Sequence, residues 1–417
     1  MNIEFPYGKA SVTVDVPDKN LLEVARRKEV ASVKDEKAEI LSAIRRPIAS
    51  PKLDALVKKG SKVLVLTTNW ARPMPNKALV PLLEELGRIG VRERDITLVS
   101  ENGFNRKNEP DERKTLVGDP EILEKYEFVE HDPMDESSLK SNGKKTKRGT
   151  EIVLNKLAWN SDLIISTNRI DFHGMAGYMG GRKGLMPGIA GKDSIVNNHK
   201  IIFDPACGDG RLDGNPLHYD MNEFVDLAEL PLFTADIVYS KDQRVLKAVA
   251  GNVHKALMEG VDFHRGTCTH MIRQAADIAL VGSGGYPIDA NMRHAPSAWG
   301  RTKLKKDGII VALAKLDEKF GELGFYEFVK QFKTPEEALR ALKENFIIGG
   351  WNIVYFLNLI IKNKIILVSE MPDSMVEDAF MTPAHSPKEA IEMALKEKGT
   401  DSKILVQPYN DCLCTVD

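Results

Sequence analysis

The stretch that decides the fold is KVLVL at Lys62 to Leu66, followed by TTNWARPMPN at 67 to 76 and KALVPLLEEL from Lys77. A short continuous apolar run bounded by turn residues reads as a strand covered on both faces. The Pro-rich polar segment after it cannot extend that strand, and the apolar positions then recur with helical spacing from Lys77 to Leu86. Strand, loop and helix in that order form the repeating unit of α/β folds, in which loops at the strand carboxyl ends carry the sites.

Working outward, the same unit recurs. DITLVS (95 to 100) runs into ENGFNRKNEP, and LIIS (163 to 166) precedes a long glycine-rich segment. Further strands are expected at Glu127 to Glu130, Glu151 to Leu154, Ala235 to Tyr239, Ile278 to Val281, Gly308 to Leu313, Lys364 to Ser369 and Lys403 to Gln407. Residues 1 to 16 alternate as a hairpin with Gly8 near its turn. Helices are expected at Leu21 to Lys28, Ala38 to Arg46, Asn222 to Leu230, Asp242 to Met258 (with Gly251 as a divider), Pro335 to Asn345, Trp351 to Ile361 and Pro387 to Lys396. SSLKSNGKKTKRG (137 to 149) is a basic, polar hairpin tip or loop. The fold class is α/β. The 417 residues suffice for two or three domains. The character of the chain changes near Phe263 to Ala276, which places a first domain at 1-268 and a second at 269-417, with the last residues packing back on the first.

A formal net charge of -2 points to neither nucleic acid nor an anionic membrane as partner. No apolar run reaches the roughly 18 residues that span a bilayer. MNIEFPYGKASVTVDV lacks a signal-peptide pattern. Cys207, Cys268, Cys412 and Cys414 form no disulfide framework, so the cytoplasm is the expected location. Cys412 and Cys414 read as a plain tail in preference to a thiol metal pair.

The chemistry is concentrated in the loops. Asp171 to Gly191, DFHGMAGYMGGRKGLMPGIAG, holds seven glycines, one histidine, an Arg-Lys pair and Pro187. Met175, Tyr178, Met179, Leu185, Met186 and Ile189 interleave them and are costly to leave in water. A half-buried, basic, glycine-rich segment after a strand reads as the wall of a site. Arg72 can bind a carboxylate or phosphate bidentately or pair locally. Lys183, an amine in such a wall, suits a nucleophile or a phosphate clamp. His173, His199, His218 and His294 lie in or beside such loops. HExxH, CxxC, GxGxxG and the GK[ST] ending of a P-loop are all missing, so an ordinary NAD enzyme is unsupported.

These stretches together resemble the nickel-dependent lactate racemase family. The resemblance rests on the ARP-containing loop at 69 to 76, NGFNR at 102 to 106, His173 and Lys183 within H-x9-K and GGRKGLMPGIAG, NNH ending at His199, DGNPLHYD at 213 to 220, and GGYPIDAN at 284 to 291. It implies two α/β domains with the active site in the interdomain cleft. It implies a nickel pincer nucleotide, a pyridinium mononucleotide with two sulfur-containing arms, joined to Lys183 through a thioamide. His199 is then the protein ligand to nickel, His173 the base for the substrate hydroxyl, and Arg72 the holder of the substrate carboxylate, with Arg72 and Asn69 beside the cofactor. Cofactor-biosynthesis enzymes become partners for maturation, and a small 2-hydroxy acid the substrate.

The departures lie on the substrate side. Asn105 stands where the family has a second histidine, and an amide cannot cycle a proton near neutral pH. Asn69 replaces an aspartate, His294 a glutamine and Ser297 a lysine, while Gly350-Trp351-Asn352 stands for Gly-His-Lys. The expected activity is therefore racemisation or 2-epimerisation of a larger 2-hydroxy acid, such as a sugar acid, with His294 as a replacement base. The alternatives are a one-sided oxidoreductase on the same cofactor and a cofactor carrier or sensor without turnover.

Overall fold

The computed structural model describes residues 1 to 70, 75 to 321, 323 to 409 and 411 to 416. The chain forms two compact units, one of Val30–Gly266 and one that joins Met1–Glu29 to Thr267–Asp417.

The Val30–Gly266 unit is built on six strands in the order Val245–Gly251, Leu232–Tyr239, Leu163–Ser166, Val63–Thr67, Ile96–Ser100, Glu127–Glu130. All neighbours are parallel except the first pair. The central strands Val63–Thr67 and Leu163–Ser166 are buried at every position, as their apolar runs require. The helix Leu79–Ile89 lays Leu79, Leu82, Leu83 and Leu86 on the sheet at helical spacing and ends at left-handed Gly90. From Val63–Thr67 the chain moves outward on one side through Ile96–Ser100 and Glu127–Glu130. It then returns to the other side at Leu163–Ser166. That reversal opens a crevice at the strand carboxyl ends, where α/β sheets place ligands.

The second unit has a six-stranded parallel sheet in the order Thr382–Ala384, Lys364–Val368, Leu304–Leu313, Ala276–Gly282, Ile404–Gln407, Leu21–Val24. The hairpin of Asn2–Tyr7 and Ala10–Asp15 places Ile3, Phe5 and Val14 in this unit's core. Two α/β sheets confirm the expected fold class.

Several expectations need correction. Residues 1 to 29 belong with the C-terminal segment and not with a 1-268 domain. The end of the chain, Leu413–Val416, pairs with Thr269–Ile272 inside its own unit. Leu21 to Lys28 is no helix, because Leu21–Val24 is recruited as an edge strand by Ile404–Gln407. Asp242 to Met258 divides into the strand Val245–Gly251 and the helix Val253–Cys268, a choice that short apolar runs leave to tertiary pairing. Among the described residues no helix is long and apolar enough to cross a membrane.

Candidate active site

Three strand ends converge at the crevice of the Val30–Gly266 unit. Buried Asn76 donates to Thr67 Oγ1 at 2.9 Å and to Thr167 Oγ1 at 2.7 Å, tying the ends of the two central strands together. Asn69 Nδ2 donates to the Glu101 carbonyl at 2.6 Å, and Asn105 Nδ2 approaches Asn69 Oδ1 at 3.4 Å. The Gly103 N–H donates to the Gly188 carbonyl at 3.1 Å, which joins the NGFNR loop to the glycine-rich wall.

The wall is coiled around its own buried arginine. Arg182 is fully buried and donates to the carbonyls of Ala176 (2.9 Å), Tyr178 (3.2 Å) and Gly180 (3.4 Å). Burial pulls its guanidinium down to about 9, while nearby Asp236 acts in the opposite direction. The tight turn Gly181–Gly184 needs its glycines for two different reasons. Gly181 sits at φ 52°, and a Cβ there would lie 2.8 Å from the Val253 carbonyl oxygen. Gly184 has no unusual φ, but a Cβ would press on Ser166 Oγ and sit 2.9 Å from Glu101 Oε1. The backbone therefore lies directly against the strand ends, with Lys183 between these two glycines.

His173 lies in the short Phe172–His173 strand and faces back toward the wall. Its Nδ1 accepts from the backbone N–H groups of Ala176 at 3.2 Å and Met175 at 3.3 Å. A ring nitrogen that accepts cannot also carry the proton, so the neutral imidazole holds its proton on Nε2. Lys183 Nζ is 3.2 Å from that Nε2. An unprotonated Lys183 amine, the nucleophilic form of a lysine, can accept from that ring N–H. His199 ends the helix Lys192–His199 and is 4% exposed. Burial pushes it down to about 3, and positive charge on Lys183 works in the same direction. Its ring is held neutral, as a metal ligand must be.

Two carboxyls lie beneath the wall. Glu101 accepts from Asn168 Nδ2 at 3.1 Å on both oxygens and from Ser166 Oγ at 3.4 Å. Burial pushes it up to about 8, and neighbouring Asp236 adds to that effect. Asp236 accepts from the N–H groups of Gly181 (2.8 Å) and Asn168 (2.9 Å), and burial pushes it up to about 7.

The structure thus gathers Asn69, Asn105, His173, Lys183 and His199 in one unit. Arg72 lies outside the described residues. His294 and Ser297 belong to the other unit, His294 in the segment after Ala276–Gly282 and Ser297 on the short helix Pro296–Trp299, where Ser297 Oγ donates to the His294 carbonyl at 2.7 Å. His218 is buried on the helix Pro216–Ala228 and hydrogen-bonds Asn222 at 3.2 Å, a core histidine held neutral by burial. Sequence reasoning passed over Glu101, Asn168, Asp236 and Asn76. The available signal was position, since Glu101 and Asn168 fall one or two residues past a strand end. Among the described residues no group of three or more His, Cys, Asp and Glu could hold a metal ion.

The lactate racemase N-terminal domain matches residues 7–210, and the lactate racemase C-terminal domain matches residues 271–412. A lactate racemase of Thermoanaerobacterium thermosaccharolyticum is 30% identical over 98% of this chain and 97% of its own length. One from Lactiplantibacillus plantarum is 28% identical over 97% of each. The solved lactate racemase apoprotein of the former organism superposes over all of both chains with a TM-score of 0.92 at 29% identity. A Thermotoga maritima structure at 16% identity shares the fold, with a TM-score of 0.71. The chain belongs to the lactate racemase family, and with it to the racemases and epimerases that work through a nickel pincer nucleotide.

Proposed function

We propose that the protein racemises or 2-epimerises a 2-hydroxy acid larger than lactate, such as a sugar acid, with Lys183 as the covalent cofactor anchor and His199 as the nickel ligand. The observation that carries this reading is the 3.2 Å approach of Lys183 Nζ to His173 Nε2 at the crevice where buried, neutral His199 also lies. The residues present fit the group. His199 offers a buried neutral imidazole and Lys183 an amine beside His173.

When bound, the nickel pincer nucleotide supplies a centre that takes and returns hydride. The chain does the rest. His199 holds the metal from the protein side. His173 is assigned as the base for the substrate hydroxyl; Nε2 takes that proton only when it is unprotonated, which requires the Nδ1 contacts with the Met175 and Ala176 N–H groups to loosen when substrate binds. Arg72 is assigned the substrate carboxylate, for which a planar guanidinium is suited. Asn69 and Asn105 line the wall as hydrogen-bonding amides, which suit the extra hydroxyls of a polyol acid. His294 is assigned as the second base. The four cysteines are free thiols, which suits the cytoplasm. The cofactor-making enzymes are the expected maturation partners.

The test uses protein matured by co-expression with those enzymes and assays lactate, malate and aldonic acids. Turnover of lactate faster than of every larger acid refutes the substrate assignment. Absence of both nickel and a mass adduct on Lys183 refutes the roles of Lys183 and His199. Asn105, which cannot shuttle a proton, supports a second reading as a one-sided oxidoreductase. Deuterium at substrate C2 separates the two, because it returns to the product acid in an epimerase and is lost in net oxidation.

A further inference from the structure

The helix that ends in His199 is held by a buried carboxylate remote from the crevice chemistry. Asp220 lies on the helix Pro216–Ala228 and is 2% exposed. Its Oδ1 accepts from Thr146 Oγ1 at 2.5 Å, and its Oδ2 from Thr150 Oγ1 and from Asn198 Nδ2, each at 2.8 Å. No salt bridge to Asp220 is present among the described residues. A buried carboxylate without a cation is costly unless its lone pairs are filled, and three donors fill them here.

The donors are themselves ordered by their other bonds. The Thr150 hydroxyl accepts from Asn197 Nδ2 at 3.0 Å, and the Thr146 hydroxyl accepts from the Thr150 N–H at 3.1 Å. Each hydroxyl proton is then available only to Asp220. Asn197 and Asn198 are the two residues that precede His199 in its helix. Ser194, one turn earlier, donates to the Glu151 carbonyl at 2.6 Å. That helix is thus fastened to the hairpin of Leu139–Lys145 and Glu151–Asn155 directly by Ser194 and Asn197, which also donates to the Arg148 carbonyl at 3.2 Å, while Asn198, the residue next to His199, is held through the Asp220 carboxylate.

We propose that Asp220 is a positioning residue that fixes the His199 imidazole for nickel by anchoring the end of its helix through Asn198, Thr150 and Thr146. This rests on the assignment of His199 as the nickel ligand. Outer partners that orient a ligand commonly govern metal retention more than fold, so the effect belongs to the metal. Neither Asp220 nor the threonines is assigned a contact with substrate or cofactor.

The experiment compares wild-type protein, Asp220→Asn and Thr150→Val, each matured with the cofactor-making enzymes. Intact mass gives the fraction with an adduct on Lys183, elemental analysis gives nickel per adduct, and thermal melting gives stability. Asp220→Asn keeps the shape but replaces one acceptor with a donor that faces other donors. It is expected to lower nickel per adduct ~10-fold while the adduct persists. Thr150→Val removes one hydroxyl of the network and is expected to give a smaller loss, so it remains informative where Asp220→Asn folds poorly. Wild-type nickel per adduct in both variants, whatever their melting temperatures, overturns the proposal. Wild-type protein with neither adduct nor nickel overturns the assignment of His199 instead.

Discussion

Glu101→Gln tests the electrostatics beneath the lysine wall. Glu101 is 7% exposed, and burial raises its carboxyl from 4.5 to about 8. The folded protein therefore keeps this proton across a range of pH in which the unfolded chain has released it. Where the folded state binds more protons, stability falls as pH rises. The stabilisation is full below pH 4.5 and is lost progressively as pH climbs to about 8. At about 1.4 kcal/mol per pH unit, that span caps the loss at roughly 5 kcal/mol. The substituted glutamine keeps the shape and an oxygen for Asn168 Nδ2 but cannot ionise. It should flatten the decline by several kcal/mol, against a background that Asp236, raised for the same reason, still contributes. Because the chain has two units, a single unfolding midpoint mixes them. Hydrogen exchange of peptides from Val63–Thr67 and Ile96–Ser100 between pH 5 and 8, corrected for intrinsic exchange, reports this unit alone. An unchanged pH slope in Glu101→Gln refutes the claim that this carboxyl is held neutral.

Gly184→Ala places a methyl against Ser166 and Glu101 and should destabilise the unit by about 1–3 kcal/mol. Gly208→Ala, where nothing lies within 4 Å, should change stability by less than ~0.5 kcal/mol, both variants being compared with the parent protein by urea titration. Nitrogen NMR of 15N-histidine-labelled, cofactor-free protein should show His173 protonated on Nε2. A proton on Nδ1 contradicts the two backbone hydrogen bonds assigned there. Asn76→Ala removes the amide between Thr67 and Thr167 and should cost about 1–3 kcal/mol. The loss should appear as faster exchange at the carboxyl ends of Val63–Thr67 and Leu163–Ser166.

The strands that build the crevice could be read directly, because KVLVL, DITLVS and LIIS are continuous apolar runs with turn residues behind them. The residues of the lysine wall were legible for a similar reason: glycines, Lys183 and His173 are clustered locally. Leu21–Val24 was not legible. LLEVARRK is as good a helix as a strand, and only pairing with Ile404–Gln407 at the far end of the chain decides it. Glu101 was hidden differently. A glutamate at the start of a polar loop looks solvated, and its burial comes from Asn168, Asp236 and Gly184, which arrive from other segments. Asn105 is the instructive intermediate, since its identity was readable but its approach to Asn69 required the fold.

The division of the chain also sets an order of events during synthesis. Val30–Gly266 is one uninterrupted segment, and all six strands of its sheet have left the ribosome before the second unit has more than its first residues. The lysine wall can therefore form early. Leu21–Val24 has a different history. It emerges ahead of the Val30–Gly266 unit and finds its partner, Ile404–Gln407, only after the whole of that segment and most of its own unit have followed it. For that interval it is an unpaired edge strand, the type of segment that attracts wrong partners, and its Glu23 and the Arg26-Arg27-Lys28 run beside it put charge where such contacts would begin.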